Sequence, residues 1–292
     1  MTQLFRRVVN VSIGPKSSGA SAALTAIERS SGVDVSNLDC VFKVKKNLKA
    51  EANTCELQLF NLAPSSRALL ETPKKLVLRL EAGYPNKVAQ LYLGEVRHTS
   101  TSRAGPDIVT HIETGDSEKE IQSAHINLSV GPKVPAEVAL TAIARELKVG
   151  IGNVPIMAAK LRAKGVVPFG KGTLIFGSAA RALDDFCRSA DLEWSIQDGV
   201  LQILDRGKAL EGMATLLSSD TGLIGSPTID LKGIVTFRAF IQPDLRPGHK
   251  VAFNSLAFKV SQGYRIQECE YTGDTSADPS SPWYVEGKCK KY

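Results

Sequence analysis

Residues 218–251 read SSDTGLIGSPTIDLKGIVTFRAFIQPDLRPGHKV, and the structural regime of the chain changes within them. Gly222, Gly225 and Pro227 open with a Gly/Ser/Pro segment that neither a helix nor a central strand accepts, because proline lacks an amide donor and glycine weakens both elements. A period of two follows. Val235, Phe237, Ala239 and Ile241 fall on one face and Ile234, Thr236, Arg238 and Phe240 on the other, the pattern of a strand with one buried side. Arg246-Pro247-Gly248-His249 predicts a type II turn, with proline presetting φ and glycine supplying a positive one. A helical middle section therefore ends here and a new β-unit begins, with a first β-unit and an α+β insert upstream.

The whole chain supports that division. Its 292 residues are enough for two or three cores. At 43% hydrophobic and 23% charged residues it has the composition of an ordinary globular protein. No apolar run approaches the roughly 18 residues of a membrane span, and residues 1–7, MTQLFRR, lack the apolar core of a secretory signal. The expectation is a protein made in the cytoplasm with no stable membrane insertion. The net charge of +6 is spread along the chain, and the densest basic cluster, Lys43, Lys45, Lys46 and Lys49, has no interleaved aromatics. It reads as a solvated strand end, since a nucleic-acid platform would need stacking rings. Five scattered cysteines (Cys40, Cys55, Cys187, Cys269, Cys289) form no CxxC pair, which argues against a disulfide framework and a structural zinc site.

Upstream, Val9, Val11 and Ile13 alternate, and Ala22–Ile27 fits either a strand or a short helix. Leu38, Cys40, Phe42 and Val44 alternate again, then Cys55, Leu57 and Leu59. Pro64 suits the first turn of a short helix to about Glu71 that buries Leu69 and Leu70. Leu76, Leu78 and Leu80 resume the strand period, Gly83–Asn86 turns the chain, and two long strands, Leu91–Thr101 and Asp107–Thr114, follow. Serial strands with regular turns predict a barrel or sandwich. After His125–Val130 the period changes: Pro135 opens a helix with Val138, Ile143 and Leu147 on its inner side, ending at Gly150. A loop spans Gly165–Gly172. A second helix, capped by Ser178, runs to Ala190 with Ala182, Leu183 and Phe186 inward. Asp198-Gly199 joins Trp194–Ile196 to Val200–Leu204 as a hairpin. The fold class expected is mainly β with a small α+β insert: a β-barrel unit over residues 1–130, an α+β module over 131–217 and a second β-barrel unit over 218–292.

The two β-regions look related. Residues 91–117 slide over 264–290 without a gap, setting Glu95 on Glu268, Thr99 on Thr272, Ala104 on Ala277, Pro106 on Pro279 and Glu113 on Glu286. Leu93/Ile266, Val96/Cys269 and Ile112/Val285 stay in phase. Any two hairpins share a period, so the duplication requires that the two hairpins occupy like positions in the sheet.

Catalysis needs a nucleophile, acid or base held near an orienting partner. His98 and His111 could face each other on their hairpin and, with Asp107 or Asp116, form a ligand set. Polar residues on the exposed side of a strand pair are the reading adopted. His125 and His249 lie on a strand and a turn. Cys187, near Leu183 and Phe186, reads as core rather than as a nucleophile. The glycine-rich 165–177 segment contains Gly-Lys-Gly-Thr without the spacing of a phosphate loop. No GxSxG, HExxH or paired-carboxylate signature occurs. The expected catalytic, cofactor-binding and metal residues are therefore none, and the chain is expected not to be an enzyme.

Several phrases occur together in order: Ala52–Leu62 (ANTCELQLFNL), Ser66–Leu70, Leu80–Tyr84 (LEAGY), Tyr92–Val96 (YLGEV), Thr114-Gly115-Asp116, Thr221–Pro227 (TGLIGSP), Leu245–Gly248 (LRPG) and Tyr271–Thr275 (YTGDT). In this series the chain resembles the tail hub, or baseplate hub, proteins of tailed bacteriophages over most of its length. The resemblance implies that the two β-barrel domains are tail-tube-like. It also implies a homotrimer whose six barrels form a pseudo-hexameric ring around the DNA-ejection channel. Partners implied are the hexameric tail tube or a distal tail ring, a trimeric spike or tip protein, and the tape measure protein, with DNA only in transit. The implied location is the virion tail, assembled in the host cytoplasm. Two other readings stay open at this point. One is a tail-tip cell-wall hydrolase, which would need a carboxylate or metal in a cleft. The other is a soluble carbohydrate- or nucleic-acid-binding β-protein, prompted by the positive charge.

Overall fold

The computed structural model describes residues 6–15, 32–71, 75–115, 118–165, 171–255, 259–276, 278 and 280–292. The 22–27 segment, Asp116, Leu256, Phe258, Ala277 and Pro279 lie outside the described residues. The chain is mainly β. Its first strands are β1 (Val8–Pro15), β2 (Val33–Asp34), β3 (Cys40–Asn47) and β4 (Thr54–Phe60). Helix α1 (Pro64–Leu70) leads to β5 (Leu76–Tyr84), β6 (Lys87–Ala104) and β7 (Asp107–Gly115). In β1, β3 and β4 the alternation read from sequence is the alternation of burial, with Val11, Ile13, Phe42, Val44, Cys55, Leu57 and Leu59 buried; in β5 Leu76, Leu78 and Leu80 are buried, but so is Val77 between them.

The insert begins with α2 (Glu118–Ser123) and β8 (His125–Val130), which pairs with β9 (Thr173–Ser178). Between them lie α3 (Ala136–Glu146) and α4 (Val154–Ala163), and after β9 come α5 (Ala179–Ser189) and the hairpin β10 (Leu192–Gln197) and β11 (Val200–Asp205). Ser178 caps α5, its hydroxyl accepting the Arg181 amide, and Asp198 and Gly199 both take positive φ (55° and 74°), as the two-residue primed turn demands. One correction concerns α3: Leu140, Ile143 and Leu147 face inward, while Val138 is exposed. Val138 lies five residues before Ile143, about 140° round the helix, too far to share its stripe. The insert has its own apolar core, from Ile126 to Ile203.

The chain returns to the main sheet through β12 (Thr215–Ser218), β13 (Leu223–Ile229), β14 (Ile234–Phe240), β15 (Lys250–Asn254), β16 (Lys259–Asp274) and β17 (Trp283–Lys291). The predicted turn before β15 forms, with Gly248 at φ 88° and the His249 amide donating to the Arg246 carbonyl at 3.1 Å. The strands make one thirteen-stranded sheet in the order β13-β14-β17-β16-β3-β4-β7-β6-β5-β1-β2, with β15 on β16 and β12 on β15.

The sheet contains a repeat. In the first half β3, β4, β7, β6 and β5 are neighbours in that order; in the second, β13, β14, β17, β16 and β15 are, and every one of these pairings is antiparallel. Each unit is thus a hairpin, a single strand and a long hairpin, paired alike. The two long hairpins do occupy like positions. Their register, however, differs from the gap-free slide. β6 bulges against β7 between Val96 and His98, and β16 bulges against β17 between Ile266 and Glu268. The bulges set Arg97 on Gln267, whereas the slide sets it on Glu270. The slide is off by three residues, an odd number that sets one face of a strand on the other, so its identities do not mark equivalent positions, and only the bulge marks a unique position along a strand.

The two units are not separately closed barrels. β16 is long enough to pair with β15 and β17 and also, through residues 268–274, with β3. That pairing fuses the units into one open path, and their inner faces share one apolar cluster. Two glycines are required at this seam and beside it: a Cβ on Gly273 would meet the Phe42 ring at 2.2 Å, and one on Gly287 the Phe237 ring at 2.4 Å. In both cases the ring lies over the glycine directly opposite it on the next strand.

Candidate functional site

Strands with one face on the core must present the other face elsewhere. Along β4, β3, β16, β17 and β14 the outward positions are Glu56, Gln58, Lys43, Lys45, Glu268, Glu270, Glu286, Lys288 and Arg238, none of them buried. Opposite charges pair across strands: Lys43 with Glu270 at 2.7 Å, Lys288 with Glu268 at 3.0 Å, and Arg238 with Glu286. This is a broad, polar surface of mixed sign rather than a basic stripe, even though the chain carries +6. The lysine cluster read as a solvated strand end lies here, except that Lys46 points to the other side and is buried.

Lys46 marks where the insert docks. Its ammonium donates to both carboxylate oxygens of Asp198, 2.7 Å each, at the tip of the β10–β11 hairpin. Asp198 also accepts the Leu93 amide at 3.2 Å. Asn53 donates to the Ile196 carbonyl at 2.8 Å, and Gln197 to the Asn47 carbonyl at 2.7 Å. Farther along, buried Arg265 of β16 pairs with Glu193 of β10. One hairpin therefore grips strands from both units. An open cleft of about 450 Å³ beside it is lined by Lys46, Arg79, Asp198, Arg246 and His249 among others. Burial, and then the neighbouring Arg246 guanidinium, holds the His249 imidazole below its ordinary pKa of 6.5.

The remaining candidate groups are kept apart. His98 stands opposite Glu113, and His111 opposite Ser100, so the two histidines do not face each other. Asp107 accepts a hydrogen bond from Asn61 at the hairpin tip. The Nδ1 atom of exposed His125 is 2.8 Å from the Ser123 carbonyl. Among the described residues no three His, Cys, Asp or Glu side chains gather where a metal ion could sit. All five cysteines are buried and free. Burial pushes the thiol of Cys40 up to about 11 and those of Cys187 and Cys269 up to about 12, the opposite of an activated nucleophile. Lys171-Gly172-Thr173 runs into strand β9, where a phosphate loop would open a helix.

Among the described residues the surface also has open edges. β13 ends the sheet on one side, and Ile229, Leu231 and Phe240 on and beside it are exposed. On β6, residues 100–104 run past the end of β5, stay paired with β7 on the other side, and are exposed. Unpaired edges and exposed apolar side chains beside a polar face are features of an assembly component.

Comparison with solved structures shows which known folds this one is like. The fold matches the 43 kDa tail protein of prophage MuSo2 from Shewanella oneidensis (TM-score 0.61, 10% identity, 98% of each chain covered). It also matches the tail protein from Neisseria meningitidis MC58 (TM-score 0.59, 8% identity, 98% of this chain and 97% of that one). A third match is the E. coli c3393 protein, described as a component of the type VI secretion system with structural similarity to the T4 bacteriophage tail proteins gp27 and gp5 (TM-score 0.54, 9% identity, 87% of this chain and 73% of that one). No curated protein sequence matches the chain. The family model for Baseplate hub gp41 matches residues 22–289, and the chain belongs to that family. It is a structural protein of the phage tail and baseplate.

Sequence reasoning missed two features of this surface. The docking contacts of Lys46 and Asn53 carry no local signal, since their partners lie more than 140 residues away. Helix α4 did leave one: Pro155 at its first turn, with Met157, Ala158 and Leu161 on one side.

Proposed function

We propose that the protein is the trimeric hub of a phage baseplate. Its two repeated β-units give three chains six like segments in a ring, which joins the hexameric tail tube to a trimeric spike or tip. The observation that carries this reading is the repeat itself: one chain holds the same five-strand arrangement twice, in like orientation along one sheet. A chain built this way meets a six-fold partner and a three-fold partner without changing its own conformation, because closed symmetry sets the number of contacts on each side. The polar, mixed-charge face then lines the channel for DNA in transit. With cations and carboxylates paired on that face, DNA phosphates meet no continuous basic surface that would hold them by counterion release. We assign the protein no catalytic role, no cofactor and no metal. Its proposed neighbours are the tube or distal ring, the tip protein and the tape measure protein, in virions assembled in the host cytoplasm.

Light scattering and particle averaging of the full chain test this. The expected result is a mass three times that of the 31.4-kDa chain and a ring of six lobes around an opening. A monomer that persists when the tube and tip proteins are added overturns it.

A further inference from the structure

In the insert, β8 and β9 form a sheet of two, and among the described residues no strand pairs with the far side of β9. The Ala179 amide donates to the Ala124 carbonyl at 2.9 Å, continuing the register that sets Ser178 opposite His125. Directly hydrogen-bonded pairs alternate along an antiparallel ladder, so Thr173, Ile175 and Gly177 turn their backbone groups toward β8. Leu174 and Phe176 turn theirs to the open edge. An edge of this kind is a template for another strand.

The side chains on this edge are unlike those beside them. Leu174 and Phe176 are 68% and 78% exposed, while the residues opposite them on β8 are Ser129 and Asn127. Ile175, between them, packs against the core of the insert. The two apolar side chains are therefore an outward pair, of the kind that marks an interaction surface. Beside them a groove of about 740 Å³ runs between β9 and α5, with buried Phe186 and half-buried Ala182 in its lining. Its rim is cationic. Lys171 and Arg181 are exposed and make no ion pair among the described residues, whereas Asp185, the acidic residue of the lining, lies 3.9 Å from Arg188.

We propose that this groove takes up an extended, acidic segment of a partner protein, which adds to β9 as a third strand. Its backbone would pair with Leu174 and Phe176, its apolar side chains at alternate positions would pack beside theirs, and a carboxylate would meet Lys171 or Arg181. The edge groups select the conformation and the charges select the partner. A second copy of β9 would set one cationic rim against another, which like charges across paired strands disfavour. A lipid surface would leave the edge amides and carbonyls unsatisfied. The site lies on the insert, so it goes beyond the hub reading and does not depend on how the chains assemble.

A random library of short peptides, screened against the full-length protein, tests it. The enriched peptides should alternate apolar and polar residues and carry Asp or Glu. Phe176→Ser should weaken their binding about tenfold or more, the loss of one well-buried aromatic contact. Arg181→Glu should select basic peptides in their place. N-methylation of one alternate set of peptide amides should abolish binding and methylation of the other set should leave it, since only one set faces the neighbouring strand. Leu174→Ser/Phe176→Ser changes residues that are already exposed, so its unfolding midpoint should match that of the native protein and it serves as the counter-screen. No enrichment, or peptides that bind this double variant equally well, overturns the site. Indifference to both methylation patterns overturns the strand pairing, and basic winners on the native protein overturn the partner's charge. Binding to anionic lipid vesicles, or self-association, that is lost in the double variant while no peptide is enriched assigns the face to a membrane or to a second copy and overturns the proposal.

Discussion

His249 shows what burial does to a single titratable group. It occupies the last position of the turn before β15, half-buried near Arg246, Lys46 and Asp244. Desolvation, followed by the Arg246 charge, lowers its pKa from 6.5, with Asp244 opposing and Lys46 adding to the effect. The unfolded chain therefore binds a proton more readily than the folded one, so stability is full above pH 6.5 and is lost as pH falls from that value toward the folded pKa. Denaturant midpoints measured between pH 7.5 and 6 should fall for the native protein and change less for His249→Asn. The turn itself was legible, because Pro247-Gly248 dictates it locally. The burial was not, because it depends on the insert hairpin packing beside the turn.

At the scale of elements, the docking of the insert depends on a buried ion pair. Lys46 and Asp198 come from a strand of the first unit and a hairpin tip of the insert, and their side chains are 1% and 11% exposed. Asp198→Asn retains a residue that tolerates the positive φ of the turn but leaves the lysine charge unpaired. The expected cost is about 3–5 kcal/mol, read as a lowered denaturant midpoint. Lys46→Met combined with Asp198→Asn should recover much of that loss, and failure to recover would show that the pair does not act as a unit. The hairpin around Asp198-Gly199 was readable from its turn residues, and α5 from its cap and stripe. Its destination was not readable, and neither was the outward position of Val138, which depends on where the rest of the module lies.

At the scale of the molecule, the open edges matter more than any cleft. Ile229→Lys places a charge on the exposed edge of β13. Because Ile229 is already 57% exposed, the stability of the isolated chain should change by no more than about 0.5 kcal/mol. Sedimentation should nonetheless show a weakened trimer, since a charged edge resists strand pairing. Unchanged assembly would remove β13 from the ring contact. The large-scale repeat was visible in the sequence only as two hairpins of similar length. The gap-free match misplaced them by three residues because residue identity along a strand does not record a bulge.

The sequence by itself determined the strands and their buried faces, the α+β character of the insert, the turns at Asp198-Gly199 and Pro247-Gly248, and the ordered motifs of a hub protein. These follow from periodicity and from backbone preferences that act over a few residues. The tertiary structure alone decided that β16 would pair with β3, joining two expected barrels into one open sheet. It also decided that the Ser218–Val251 region would leave β13, among the described residues, as the edge strand of that sheet. Strand order and edge exposure are set by contacts between residues more than two hundred positions apart, such as Tyr271 with Val44, and no local pattern encodes them.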